Sequence, residues 1–373
     1  MQVPFINLNR IVDDIKDDVA HDWQESLEKT EFVGGPSVAK LERSLEDYLG
    51  VHHFIGCSSG TDALVVSLMA LGVGRGMRVA IPNLTFWAPF EAAVLVAAEP
   101  VLVDIDPDDL QMDFEEFKKA HERFRFDAAI LVHLYGWTSA RLEEYRSYCK
   151  EHDIMLIEDG AQAFGVQNGS EGIYSGATIS TISFYPAKVI GASGDGGGIM
   201  TCDVKLAEKV RALCNHGRAG HYTYDYVGMN SRLGAPIAKF LLRMVAKKDE
   251  ILATRRQAEA YYIDQFEKAA GYKIYKAPQG VCSNGYLNVM TADGFSGNDV
   301  VGALSKKGVG AARTYPQTLD DQPPAKRALR ASDLSRSKDF CNKVFNLPIF
   351  AKITPEEFEY AALALKEVSG DIL

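Results

Sequence analysis

Seven short runs, at residues 54–57, 78–82, 100–104, 128–133, 154–159, 180–185 and 197–201, are rich in Val, Ile and Ala, and most are apolar along their whole length rather than at alternate positions. A strand with one wet face alternates between apolar and polar residues. A continuously apolar strand is covered on both faces, which is the situation of a parallel sheet sandwiched between helices. Parallel neighbours need long crossovers, and the intervening segments supply helical patterns. Ser58-Ser59-Gly60-Thr61-Asp62 opens into Leu64, Val65, Leu68, Met69 and Leu71 at helical spacing and is closed by Gly72. Further helices are expected over residues 139–152, 249–270 and 298–307. Thr354-Pro355-Glu356-Glu357 combines a capping box with Pro at the first helical position, which starts a final helix. In sheets of this kind ligands gather beyond the carboxyl ends of the strands.

The pattern changes near residue 245, from strands alternating with helices to long helices with shorter strands between them. We therefore expect a large α/β domain over residues 1–245 and a smaller domain over 246–373. With 50 acidic against 40 basic residues the chain carries a formal charge of -10, which argues against nucleic acid and anionic membrane surfaces as partners. No stretch approaches a membrane span, and the first ten residues lack the character of a secretory signal, so the expected location is the cytoplasm. The cysteines at 57, 149, 202, 214, 282 and 341 form no C-x-x-C pair. Neither zinc nor a redox motif is expected, and each is read as a buried reduced thiol.

The most informative stretch is Ser183-Phe184-Tyr185-Pro186-Ala187-Lys188, followed by a glycine-rich turn through Gly194-Asp195-Gly196-Gly197-Gly198. A lysine between an apolar strand and such a turn is poorly placed for a solvated surface charge. A desolvated lysine can be the amine of a Schiff base. The glycines fit neither G-x-x-x-x-G-K-[ST] nor G-x-G-x-x-G, since Ile199 stands where the last glycine of the second pattern would fall. Two carboxylates, Glu158 and Asp159, end another apolar strand. An acid and a lysine at strand ends about one crossover apart suit pyridoxal phosphate: the acid keeps the pyridine nitrogen protonated and the lysine carries the aldehyde. Read alone, Asp159 is more often a turn or helix cap. The Ser58-Ser59-Gly60-Thr61 helix entry offers free N–H groups to a phosphate, although most such entries are plain caps.

Taken in order, Phe32-Val33-Gly34-Gly35-Pro36 with Glu42, Ser59-Gly60-Thr61-Asp62-Ala63-Leu64, Pro82-Asn83-Leu84-Thr85-Phe86, Val103-Asp104-Ile105-Asp106, Val132-His133-Leu134-Tyr135-Gly136, Glu158-Asp159-Gly160-Ala161-Gln162-Ala163, the Lys188 segment, Asn230-Ser231-Arg232-Leu233 and Leu347-Pro348-Ile349-Phe350 resemble the DegT/DnrJ/EryC1/StrS sugar aminotransferases, a branch of the fold-type I pyridoxal phosphate enzymes. The resemblance covers nearly the whole chain. It implies a mostly parallel seven-stranded sheet between helices, with a smaller C-terminal α+β domain. It also implies transamination in two halves, from an amino acid, with glutamate as the expected donor, to the keto group of a nucleotide-linked deoxysugar, with the cofactor cycling through pyridoxamine phosphate. The product would serve a surface polysaccharide or a glycosylated metabolite.

Carried over residue by residue, the resemblance makes Lys188 the Schiff-base lysine and proton shuttle and Asp159 the partner of the pyridine nitrogen. Gln162 would meet the ring's phenolic oxygen, and Phe86 would stack on the ring with Trp87 nearby. Gly60, Thr61 and Ser183 would hold the phosphate, and Asn230 would reach it from the other subunit of a homodimer with shared sites. Arg232, Arg218 and Arg313 are candidates for the substrate diphosphate, and Tyr315 for the pocket border. Read without the resemblance, Phe86 and Trp87 are core aromatics, Asn230 a loop cap, His133 a hydrogen-bonded structural residue and Cys57 small-residue packing. Trp137, Gly234-Ala235-Pro236 and Tyr315-Pro316-Gln317-Thr318-Leu319 depart from the family pattern and leave the sugar open. Family members that dehydrate their sugar carry histidine in the lysine slot, which Lys188 opposes. Amination of a cyclitol or another ketone and a catalytically silent regulatory role stay open as alternatives.

Overall fold

The computed structural model describes residues 1–372. All seven apolar runs form strands: β1 (His53–Cys57), β2 (Arg78–Pro82), β3 (Glu99–Val103), β4 (Ala128–Val132), β5 (Met155–Asp159), β6 (Ile179–Ser183) and β7 (Gly197–Thr201). The sheet has eight strands rather than the expected seven. The additional one, β8 (Leu329–Arg330), comes from far along the chain and pairs in parallel with β3 through Val101 and Leu102. Across the sheet the order is β1-β7-β6-β5-β4-β2-β3-β8, and only β7 runs against its neighbours. The carboxyl ends of β1, β2, β5 and β6 therefore share one edge with the amino end of β7.

Both faces of the sheet are covered, as the continuous apolar runs require. One face buries Ile81, Ile130 and Ile157 against α3 (Gly60–Leu71) and α4 (Ala88–Leu95). The alternate residues Ala80, Ala129 and Leu131 pack on α5 (Phe114–Phe124) and α6 (Leu142–Glu151). Helix α6 begins three residues later than its sequence pattern suggested, because Ser139 and the N–H of Ala140 are held by the Asp109 carboxylate at 3.2 and 3.0 Å.

Beyond α7 (Val204–Cys214) and α8 (Ala235–Ala246), α9 (Lys248–Phe266), α10 (Gly297–Lys306) and α12 (Pro355–Ile372) enclose a separate core of Tyr262, Phe266, Phe345 and Leu365. The expected capping box starts α12: Thr354 N–H donates to Glu357 at 2.9 Å and Glu357 N–H to the Thr354 hydroxyl at 3.4 Å. The region between α10 and α12 returns to the large sheet. Leu319, Ala325 and Phe340, the last on α11 (Ser335–Lys343), share a core with Leu102 and Trp137. The N-terminal strand residue Val3 pairs with Val309, and α1 (Asn9–Lys29) is tied to α8 by Arg243–Asp22 at 2.8 Å. Four of the cysteines are buried thiols. Cys202 and Cys282 are exposed instead, because the turn after β7 and the short segment at 281–282 lie at the surface.

Candidate active site

The chemistry-bearing residues converge on one cavity of about 500 Å³ at the shared strand edge. Gly60, Thr61, Phe86, Asp159, Gln162, Ser183, Lys188 and Tyr315 all line it, so eight of the sequence-derived candidates meet in space.

One wall is the start of α3. The Ser59 side chain caps this helix by accepting from the N–H of Asp62 at 3.0 Å. The N–H groups of Gly60 and Thr61, in the first turn, have no acceptor within the helix and lie at its positive end. The glycines hold this loop against the neighbouring strands. A Cβ on Gly197 would stand 2.4 Å from the Ser59 carbonyl group, and one on Gly60 would stand 2.7 Å from the Ser183 Cβ. Only glycine at these places lets backbone approach so closely.

The strand pleat separates the two carboxylates. Glu158 turns away from the cavity and is 1% exposed. Arg146 grips it at 2.8 and 2.9 Å, and His133 Nε2 lies 3.2 Å from it. Burial opposes its charge, but the hydrogen bonds from His133 and Arg146 hold it below the ordinary carboxylate range. His133 is thus the buried, hydrogen-bonded residue that its position suggested. Asp159 faces the cavity, 4% exposed, and its Oδ1 accepts from Ala161 N–H at 3.0 Å and Thr181 Oγ1 at 3.4 Å. Burial raises its pKa above the ordinary range, against the lowering effects of the Ala161 N–H and the Lys188 charge. A cationic group brought against Asp159 would reverse that shift.

Lys188 sits on the turn after β6, where its N–H donates to the Tyr185 carbonyl at 2.8 Å. Its ammonium lies 5.2 Å from the ring centre of Tyr286. Gln162 is fixed at both ends: Oε1 accepts from Tyr135 N–H at 2.6 Å, and Nε2 donates to the Tyr315 hydroxyl at 2.7 Å. Phe86, a core aromatic when read without the resemblance, is 57% exposed on the cavity side, whereas Trp87 packs inward against Phe90 at 4.6 Å. Cys57 is fully buried beneath the helix entry, in keeping with a packing role.

Asn230, Arg232, Arg218 and Arg313 do not line the cavity of their own chain. Arg232 donates to Asn230 Oδ1 at 2.7 and 3.0 Å, and Arg218 donates to the Gly220 carbonyl at 3.0 Å on an exposed hairpin. Arg313 bonds Asn298 at 2.9 Å and the Cys341 carbonyl. The Asn230 segment is nonetheless anchored to the helix entry, since the Ser231 hydroxyl and the Ser58 hydroxyl both donate to Asp62 Oδ2, at 2.7 and 2.6 Å.

Sequence reasoning missed Tyr286. Its segment docks through Asn284, whose amide donates to the carbonyls of Gln162 and Phe164 at 2.8 and 3.0 Å. No local pattern announces a pairing across 122 residues. Tyr185 and Thr85 also line the cavity, each next to a motif residue already singled out.

The residues present fit pyridoxal phosphate: a helix start with free N–H groups and hydroxyls for the phosphate, a buried acid for the ring nitrogen, an aromatic face, and a lysine for the aldehyde. Known proteins agree. The family model for the DegT/DnrJ/EryC1/StrS aminotransferase family matches residues 13–366. A "Pleiotropic regulatory protein" of Geobacillus stearothermophilus is 31% identical over 369 residues, covering 98% of this chain and 98% of that one. A UDP-N-acetyl-3-dehydro-alpha-D-glucosamine 3-aminotransferase of Acidithiobacillus ferrooxidans is 30% identical over 364 residues, covering 98% and 97%. The crystal structure of an aminotransferase of the same family from Brucella abortus superposes with a TM-score of 0.93 at 29% identity, over 99% of this chain and 100% of that one.

Proposed function

The chain belongs to the DegT/DnrJ/EryC1/StrS aminotransferase family and is a pyridoxal-phosphate-dependent sugar aminotransferase, and from this premise we propose that it moves an amino group from an amino acid, L-glutamate, to the keto group of a nucleotide-linked deoxysugar. The observation that carries the reading is the meeting of Lys188, Asp159, Gln162 and the α3 entry in one cavity. The UDP-sugar named for the Acidithiobacillus relative supports a nucleotide-linked substrate. The product class would be an amino sugar for a surface polysaccharide or a glycosylated metabolite, made in the cytoplasm.

When bound, pyridoxal phosphate supplies the electron sink for the pair released at the substrate carbon. The protein positions and moves protons. The α3 N–H groups, Thr61 and Ser183 anchor the phosphate end. Asp159, 4% exposed, would hold the proton on the pyridine nitrogen. Gln162, fixed by Tyr135 and Tyr315, would meet the phenolic oxygen, and Phe86 would cover the ring. The Lys188 amine would take the proton from the donor's carbon and return one at the C4′ side, help worth about 10²–10⁴ in rate.

Asn230, anchored through Ser231 and outside the lining of its own cavity, would complete the phosphate site of a second copy in a homodimer. Arg232, Arg218, Arg313 and Tyr315 are proposed to meet the sugar nucleotide, the first two across the same interface. We further propose a division near residue 245, with residues 319–344 packed back on the large unit.

A regulatory role is the second reading, favoured by the name of the Geobacillus relative. One experiment separates the two. Protein loaded with pyridoxamine phosphate is offered nucleotide-linked ketosugars, free ketosugars and cyclitol ketones, with mass spectrometry of the products and Lys188→Ala as control. Amination confined to nucleotide-linked ketones and lost in the variant is expected. Turnover of free ketones alone would move the substrate class, and bound cofactor with no amination at all would favour regulation.

A further inference from the structure

Behind the Lys188 turn lies a second, much smaller cavity of about 50 Å³. Asn7 and Leu8 from the N-terminal segment border it, as do Pro186 and Lys188 from the turn and Arg255 and Phe350 from the C-terminal half. Arg255, on α9, is 4% exposed. Its hydrogen bonds all use Nη1 and are long, at 3.5, 3.4 and 3.4 Å to the carbonyls of Gly285, Tyr286 and Ile349. Its Nε, also buried, has no acceptor among the described residues. Burial lowers the pKa to about 10, and only the Tyr286 hydroxyl acts in the other direction, so the group is still a cation at neutral pH.

The described residues that line this cavity include no Asp or Glu. A buried guanidinium without a counter-charge is among the costliest arrangements in a protein interior, and nature ordinarily supplies a carboxylate. Here the walls offer the Arg255 guanidinium with its unspent N–H donor and a space of the size of one water or one small ion. The rest of the lining is largely apolar, which strengthens the field of the guanidinium inside it.

We propose that this cavity is a binding site for one small monovalent anion of the halide class, held by the Arg255 guanidinium on the side of Lys188 remote from the cofactor cavity. Because Lys188 borders both cavities, occupancy of the small one acts on the side chain that works in the large one. The site also joins the N-terminal segment, the Lys188 turn and α9 around one charge.

The test uses cofactor-loaded enzyme. Crystals soaked in sodium bromide are examined for anomalous scattering, and thermal midpoints are compared in chloride and gluconate at equal ionic strength. A bromide peak beside Arg255 Nε is expected, together with a chloride-dependent rise in midpoint of about 2 °C that disappears in Arg255→Met. A cavity holding only water in bromide, or a chloride effect undiminished in Arg255→Met, overturns the proposal. Should that variant fail to fold, the bromide map of the unaltered enzyme decides alone.

Discussion

At the scale of single residues, the placement of Asp159 makes two quantities separable. Its raised pKa means that folding favours the protonated acid, so this group's contribution to stability is present at low pH and is lost as pH rises through the folded-state value. Asp159→Asn should therefore leave the midpoint of the cofactor-free protein unchanged or higher. Turnover should fall about 10²–10³-fold, the size of losing one preorganised electrostatic contact, because an amide cannot keep the pyridine nitrogen charged. A scanning calorimeter and a single-turnover assay with the amino donor check the two halves. Glu259 follows the same sign with a value attached: burial lifts its pKa from 4.5 to about 7, against the hydrogen bond from Ser283. Stability should decline between about pH 4.5 and 7, and Glu259→Gln should flatten that slope and gain up to about 3 kcal/mol above pH 7, read from urea unfolding across pH.

At the scale of elements, much of the site was legible because the strands announce their own ends. Asp159, Ser183 and Lys188 each sit at or just after an apolar run, and the α3 entry is marked by Ser59, Gly60 and Gly72. What stayed hidden depends on contacts distant in sequence. Two-residue β8 has no periodicity to detect, and Tyr286 reaches the cavity only because Asn284 docks on the Gln162 turn. The surroundings of the arginines near matched motifs are hidden in the same way, since sequence proximity does not say that Arg313 bonds Asn298 and the Cys341 carbonyl. The contact between β7 and the α3 entry is the most exacting of these junctions. Gly197→Ala would push a methyl group into the Ser59 carbonyl, 2.4 Å away. We expect a loss of about 1–3 kcal/mol in stability and a weaker hold on pyridoxal phosphate, measured by urea unfolding of the apoprotein and by absorbance titration with cofactor.

At the scale of the whole molecule, the proposed sharing of Asn230 can be checked by mixing two inactive forms. In a 1:1 mixture of Lys188→Ala and Asn230→Ala chains, random dimers would recover about a quarter of full turnover per chain, since half are hybrids with one intact site each. Sites built from one chain alone would recover nothing. The short strand β8 has a different consequence, one of timing. During synthesis β3 emerges more than two hundred residues ahead of Leu329 and Arg330, so one border of the growing sheet has backbone groups waiting for a partner that does not yet exist. A nascent or truncated chain ending before residue 329 is left with an adhesive rim, and the last third of the sequence works as its seal as well as bringing Tyr286 and Tyr315 to the cavity.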